Sequence, residues 1–304
     1  MTILLTGASG FLGGYFFREL SADHEVVTLG RRAVGSAHIH CDLSWQTPVL
    51  PGIGYDLVVH AAGKAHSVPR TDSERADYDR VNVQGTERLL KALGGQPRLP
   101  QALVYISTVL VYGRSTGELL DEDTPLAARD AYGPSKVRAE ELVRNWARRT
   151  GVRLTVLRLP LVAGIPLTGN LASMQQAIQR GYYARIGQAE ARRSMVRADD
   201  VAAVLVRASA EGGIYHLTDG YHPTVHELEE ALARQAGRSR VPVIPARLAR
   251  RVARLGDSIN AVVGRRFPLD TPALTRLTST LTFSDAAARH QFQWAPRPVL
   301  DLFR

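Results

Sequence analysis

Hydrophobic positions come first in short blocks separated by polar turns. Residues 2–6 (TILLT) form an apolar block that ends in GASGFLG, and YFFRELSA then carries apolar residues at helical spacing. HEVVTLGRR (24–32) and IHCDL (39–43) predict a second and a third strand, and DLVVHAAG (56–63) a fourth. A long helix is predicted over 75–93 and a fifth strand over 102–113 (ALVYISTVLVYG). The stretch 130–151 reads as a helix that tolerates Pro134 in its first turn, and 152–160 as a sixth strand. Strands that alternate with helices require parallel crossovers. From about residue 165 the rhythm breaks: a loop and helix over 164–181, a short strand and helix over 192–209, a return strand over 213–220, then helices over 223–237 and 246–263. The expected fold is α/β, a doubly wound parallel sheet over 1–165 completed by about 194–220, with a smaller C-terminal α/β lobe from 166–193 and 221–304.

Composition narrows the class. With 304 residues, 45% hydrophobic and 22% charged, the chain is long enough for a large core and has no low-complexity stretch. No apolar run reaches the roughly 18 residues that cross a bilayer. MTILLTG runs straight into the first strand rather than into a leader, and the single Cys41 fits a reducing compartment, so cytoplasm is the expected location. The formal charge of +9 favours anionic partners. Nearly every basic residue is arginine; the only lysines are Lys64, Lys91 and Lys136, which makes a lysine an unusual choice here.

Thr6 to Gly13 reads TGASGFLG, with glycines at 7, 10 and 13 between a predicted strand and a predicted helix. Glycine tolerates positive φ and lets backbone N–H groups and a helix N-terminus approach a pyrophosphate. The spacing differs from the common G-x-G-x-x-G fingerprint. Together with Asp42-Leu43, HAAG (60–63), NVQGT (82–86), STVLVYG (107–113), YGPSK (132–136) and RSMVRADDVA (193–202), it resembles the short-chain dehydrogenase/reductase superfamily. More specifically, the chain is similar to the extended branch that acts on nucleotide sugars. That resemblance implies a Rossmann domain followed by a substrate-binding lobe. It implies a cofactor bound by Gly7, Ser9, Gly10, Phe11, Leu12, Gly13, Asp42, Leu43, Ala61, Ala62, Gly63, Lys64 and Asn82, together with Tyr132 and Lys136. Asp42 would face the adenine amino group; for His60 a structural role is expected.

A carboxylate at the end of the second strand would hydrogen-bond the ribose of NAD, whereas an arginine would pair with the extra phosphate of NADP. Here Gly30 stands at the carboxylate position and Arg31 and Arg32 follow. NADP(H) is therefore favoured and NAD(H) is the alternative; the competing reading is a solvated strand end.

Tyr132 and Lys136 stand four apart, on one face of a predicted helix. A free phenol has a pKa of about 10, and bringing it near 7 takes about 4 kcal/mol, which a desolvated ammonium and an oxidised nicotinamide would supply. Alignment with the family places Thr108 at the hydroxyl position of the catalytic set, with Ser107 as the neighbouring alternative on the opposite face of the strand. The related 4,6-dehydratases follow this threonine with an acidic pair. Val109 and Leu110 stand there instead, which disfavours dehydration. Reduction of a 4-keto sugar by NADPH is the expected reaction, with 4-epimerisation as the alternative.

Asn170 and Arg193 match positions the family uses for a nucleoside diphosphate, and an arginine fork suits a pyrophosphate. Leu161 departs from the family, whose epimerases carry a pyrophosphate-binding asparagine there; Asn170 also reads as a helix cap. A UDP- or dTDP-sugar is the expected substrate, and homodimerisation is a family expectation. Two further readings remain: a reductase of a hydrophobic carbonyl, and a noncatalytic NAD(P)-sensing module. No nucleic-acid partner is expected, because the basic residues are spread without an aromatic platform. His38, His40 and Cys41 lack a second ligand pair, so no metal is expected. Residues 246–263 pair an apolar row (Leu248, Val252, Leu255, Ile259) with Arg247, Arg250, Arg251 and Arg254. That pattern fits either a helix lying on an anionic membrane or, as favoured here, one that caps its own core.

Overall fold

A computed structural model describes residues 1–65, 69, 71–187, 190–238, 240–263 and 270–304, and of 261–263 the backbone alone. The first half alternates as the hydrophobic blocks require: β1 (Thr2–Thr6), α1 (Phe11–Asp23), β2 (Glu25–Gly30), β3 (His38–His40) and β4 (Leu57–His60). Helices α2 (Asp72–Tyr78) and α3 (Gly85–Gly94) follow, then β5 (Ala102–Thr108), β6 (Gly117–Leu120), α4 (Tyr132–Thr150) and β7 (Arg153–Leu159). The second half is less regular: β8 (Leu161–Ala163), α5 (Gly169–Arg180), β9 (Arg185–Ile186), β10 (Met195–Arg197), α6 (Ala198–Ser209) and β11 (Gly213–His216). It ends with α7 (Val225–Gln235), β12 (Val243–Ile244), α8 (Ala246–Val263), α9 (Thr271–Thr278), β13 (Leu281–Phe283) and α10 (Ala286–Phe292).

Seven strands form one parallel sheet in the order β11-β7-β5-β4-β1-β2-β3. Its central strands read as continuous apolar runs because both faces are covered: Ile3, Leu4 and Leu5 of β1 have no exposed surface. On one face Phe16 and Leu20 of α1 pack with Val201 and Leu205 of α6. On the other, Leu89 and Leu93 of α3 pack with Val143 and Trp146 of α4. A third core, outside the sheet, joins Leu171 and Ile178 of α5, Leu228 and Leu232 of α7, and Val299 and Phe303 near the C-terminus.

Two elements differ from the sequence expectation. The fifth strand stops at Thr108, whose hydroxyl accepts the Leu110 N–H at 3.2 Å and starts a 3-10 turn over Val109–Tyr112; Gly113, at φ +61°, closes it. The long helix predicted over 75–93 begins earlier, where the Thr71 hydroxyl accepts the Glu74 N–H at 3.1 Å, and widens into a π turn over Asp79–Gln84. Asn82 sits in that turn, fully enclosed. Its amide is matched to the main chain of Lys64, a contact no local pattern foretells.

Arg158 of β7 and Glu140 of α4 are 2% and 1% exposed and meet at 2.8 Å. Arg158 also donates to the Tyr112 hydroxyl at 2.7 Å and to the Glu122 carbonyl at 3.1 Å, while Ser107 donates to Glu140. Removing one partner of a buried pair leaves the other charge without compensation. Arg158→Ala is expected to lower unfolding free energy by about 3–5 kcal/mol, read by urea denaturation. A loss under about 1 kcal/mol would mean that water or another cation satisfies Glu140.

Candidate active site

The residues predicted for cofactor binding and catalysis lie at or beyond the carboxyl ends of β1 to β5 or on the helices that follow them. After β1 the chain builds outward through β2 and β3 on one side, then returns to β4 and β5 on the other. Loops that diverge at such a reversal leave a crevice, the usual ligand position in an open α/β sheet. Gly7, at φ +76°, is packed so tightly that a Cβ would lie 2.7 Å from the Ala62 nitrogen and 2.8 Å from the Ala61 oxygen. A Cβ on Gly13 would lie 2.0 Å from the Gly7 oxygen. Gly10 occupies the cap position of α1, and among the described residues no side chain caps that helix end. Its first N–H groups, beside exposed Ser9 and half-buried Phe11 and Leu12, therefore remain available to an anion.

At the end of β2 a Cβ on Gly30 would meet nothing within 4 Å, and Arg31 and Arg32 are exposed. The Arg31 guanidinium lies 4.0 Å from the Asp42 carboxylate. Burial pushes the Asp42 carboxyl up, but hydrogen bonds from Ser44 and the positive charges of Arg31 and Arg80 hold it below its ordinary value. Leu43 is buried, and its carbonyl accepts from Arg88 at 3.0 Å.

The β4 end is tied together by Asn82. Its oxygen accepts the Lys64 N–H at 2.7 Å, and its nitrogen donates to the Lys64 carbonyl at 3.1 Å and to Ser135 at 2.9 Å. Gly63 leaves room for that amide, which a Cβ would approach to 3.1 Å. Lys64 lies at the crevice through its main chain; its ammonium pairs with Asp77 at 2.7 Å. His60 is wedged between Thr6 (2.7 Å) and Thr86 (2.9 Å). Burial and the Lys136 charge push it down to about 3, so it stays neutral and structural. Both His38 ring nitrogens are engaged, with the Thr28 hydroxyl at 2.8 Å and the Gly30 carbonyl at 3.1 Å.

Strand alternation separates the two hydroxyls of β5. Ser107 points to Glu140, whereas the Thr108 hydroxyl reaches the Tyr132 phenol and draws its pKa down. Burial, then Tyr78 and Asp130, outweigh that effect and raise the phenol well above its ordinary value. The sequence expectation is a phenol tuned towards neutrality by Lys136 together with an oxidised nicotinamide. The Lys136 ammonium donates to the Ile106 carbonyl at 2.6 Å and lies 4.2 Å over the Tyr105 ring. Burial pushes that ammonium down to about 7 although Glu140 pulls it back up. Among the described residues it makes one hydrogen bond, which leaves two of its three N–H donors for a ligand.

Of the residues expected at the substrate end, Asn170 lies on α5 and Arg193 in the segment before β10. Asn170 is exposed in the first turn of α5; the cap position belongs to Thr168. Leu161 faces Met195 across the β8–β10 pair. Arg193, half-buried, donates to the Arg276 carbonyl on α9. Burial and then the Arg276 charge push its guanidinium down to about 10, and no acidic partner pairs with it among the described residues. Two guanidinium groups without a carboxylate invite an anion. Arg276 was missed in the sequence because its contact spans 83 residues, where no spacing rule reaches.

A parallel sheet with a glycine cradle at its first turn is the fold of a dinucleotide-binding enzyme. The chain belongs to the NAD dependent epimerase/dehydratase family, whose family model matches residues 3–217. It is thus an NAD(P)-dependent enzyme of the extended short-chain dehydrogenase/reductase type. A UDP-glucose 4-epimerase of Vibrio cholerae is 26% identical over 98% of this chain and 92% of its own. A GDP-6-deoxy-D-mannose reductase of Pseudomonas aeruginosa is 28% identical, covering 76% of this chain and 79% of its own. Among solved structures, the UDP-glucose 4-epimerase of Thermotoga maritima with UDP-glucose superposes with a TM-score of 0.73 at 20% identity, covering 100% of this chain and 97% of that one.

The depressed Lys136 pKa makes a pH prediction for the ligand-free protein. Between the folded value of about 7 and the unfolded value near 10.5 the unfolded chain holds one more proton, so stability rises with pH there. Relative to Lys136→Met, the wild type should gain about 2 kcal/mol in unfolding free energy from about pH 7 to about pH 9. A difference that stays flat would mean that Lys136 keeps its proton when folded.

Proposed function

We propose that the protein is a 4-ketoreductase of a nucleoside-diphosphate sugar that takes its hydride from NADPH. The observation that carries this reading is the end of β2, where open space beside Gly30 adjoins the exposed Arg31 and Arg32. A carboxylate there would repel a 2′-phosphate, and arginine pairs with it. Within this reading residues 1–165 with about 194–220 carry the cofactor, and 166–193 with 221–304 hold the sugar nucleotide. The Arg193–Arg276 pair supports a diphosphate-linked substrate over a hydrophobic carbonyl, with Asn170 at the rim and UDP or dTDP as the nucleotide.

Gly7, Gly10 and Gly13 with the open end of α1 suit a pyrophosphate, and the spare donors of Lys136 suit a ribose. When bound, the nicotinamide supplies the hydride. The Thr108 hydroxyl would hold the substrate carbonyl oxygen, and the Tyr132 phenol would deliver its proton to that oxygen. Burial keeps this phenol protonated at neutral pH, the state a donor requires. In this reading the Lys136 ammonium, one turn along α4 from Tyr132, would favour the resulting phenolate. Tyr132 and Lys136 would have no purpose in a passive cofactor sensor. In this reading the enzyme works in the cytoplasm as a homodimer.

A second reading is an NAD-dependent 4-epimerase. The 4.0 Å pairing of Arg31 with Asp42 supports it, since that arginine's charge is partly answered within the chain.

Two experiments test these assignments. Tyr132→Phe is expected to lower kcat about a thousandfold with cofactor Kd nearly unchanged, measured by steady-state kinetics and calorimetry. Retained turnover would remove Tyr132 from the proton transfer. Arg31→Ala is expected to weaken NADPH by about tenfold while NADH changes little. Equal losses for the two cofactors would favour the epimerase.

A further inference from the structure

Helix α8 packs with a different face from the one its sequence pattern favours, about 110° round the helix. Its apolar row, Leu248, Val252, Leu255 and Ile259, occupies an arc of about 60° at 100° per residue. That row was expected to close the protein's own core. Instead Leu248, Leu255 and Ile259 are 49%, 64% and 40% exposed. The contacts with the body are made by Ala249 and Ala253, both fully buried against Ile186 and Leu274. Small residues let α8 approach its neighbours closely, so the larger ones are turned to solvent.

The exposed row is bordered by charge of one sign. Arg247, Arg250, Arg251 and Arg254 are all exposed, and on the 100° projection Arg247 and Arg251 flank the row opposite the alanine face. The single acid of the helix, Asp257, is turned away: its carboxylate accepts the Thr271 N–H at 2.9 Å, towards α9. A second copy of the chain docked on this face would bring two arginine groups together without carboxylates to answer them. Among the described residues no helix is long and apolar enough to cross a membrane, so a lipid contact would lie in the plane of the surface.

We propose that α8 is a docking surface for an anionic phospholipid bilayer. Its leucine row enters the boundary between headgroups and acyl chains, and Arg247 and Arg251 pair with lipid phosphates. Long arginine side chains reach the headgroups while their stems stay beside the apolar row. The enzyme would then act at a membrane surface without being anchored through it.

The test is flotation of the full-length protein with phosphatidylcholine vesicles, with and without about one-third phosphatidylglycerol. The protein is expected to float with the anionic vesicles, to stay behind with the neutral ones, and to be released by salt. Leu255→Glu should lower the partition by about tenfold and each of Arg247→Gln and Arg251→Gln by about fivefold, with melting temperature and turnover unchanged. Absence of flotation, equal flotation with neutral vesicles, or full flotation of Leu255→Glu would overturn the proposal. So would concentration-dependent dimerisation that Leu255→Glu abolishes, which would make a second copy the occupant.

Discussion

Glu140 and Arg158 are buried charges that neither residue could carry alone, and their 2.8 Å contact holds the crevice together. Glu140 lies one turn beyond Lys136 on α4, so the pair sets how that helix stands against β5 and β7. Ser107 joins it from β5, and Arg158 extends it through Tyr112 to His216 of β11, whose ring also meets the Ser284 carbonyl at 3.0 Å. Burial raises the Tyr112 phenol to about 12 and lowers His216 to about 4, so both stay neutral members of the network. One satisfied polar chain thus links β5, α4, β7, β11 and the segment leading to α10. Its placement on one side of β5 frees the other side, where Thr108 meets Tyr132.

Charge is divided by task across the molecule. Some arginines are consumed by structure: Arg158 by Glu140, Arg297 by Asp199 and Asp200, Arg185 by Glu229. Others keep much of their charge for something outside the chain, namely Arg31 and Arg32 at the end of β2, Arg193 beside Arg276, and the arginines of α8. The formal charge of +9 is therefore an aggregate of separate surfaces. Two of the three lysines divide in the same way: Lys64 pairs with Asp77, whereas Lys136 is buried against the Tyr105 ring with donors to spare.

Short-range physics made the first half of the chain legible. Short apolar blocks bounded by turn residues and separated by segments of helical spacing read as strands in a covered sheet, and glycines at 7, 10 and 13 between strand and helix require a tight turn with exposed N–H groups. Alternation along β5 told that Ser107 and Thr108 face opposite ways, and the four-residue step put Tyr132 and Lys136 on one helix face. These are properties of neighbours in the chain, so the sequence by itself determined them.

Tertiary structure decided what depends on partners distant in sequence. Which β5 hydroxyl meets the phenol was settled by Glu140, 33 residues from Ser107, and the arginine beside Arg193 lies 83 residues away. Helix spacing placed Lys136 one turn from Tyr132, but the direction of its ammonium is set by the Ile106 carbonyl and the Tyr105 ring, which that spacing does not reveal. Helix α8 shows the same limit: periodicity identified an apolar row and an arginine face, but not which face would pack. Close approach through Ala249 and Ala253 decided that, because packing depends on the shape of the surface opposite, and that surface is assembled only when the chain has folded.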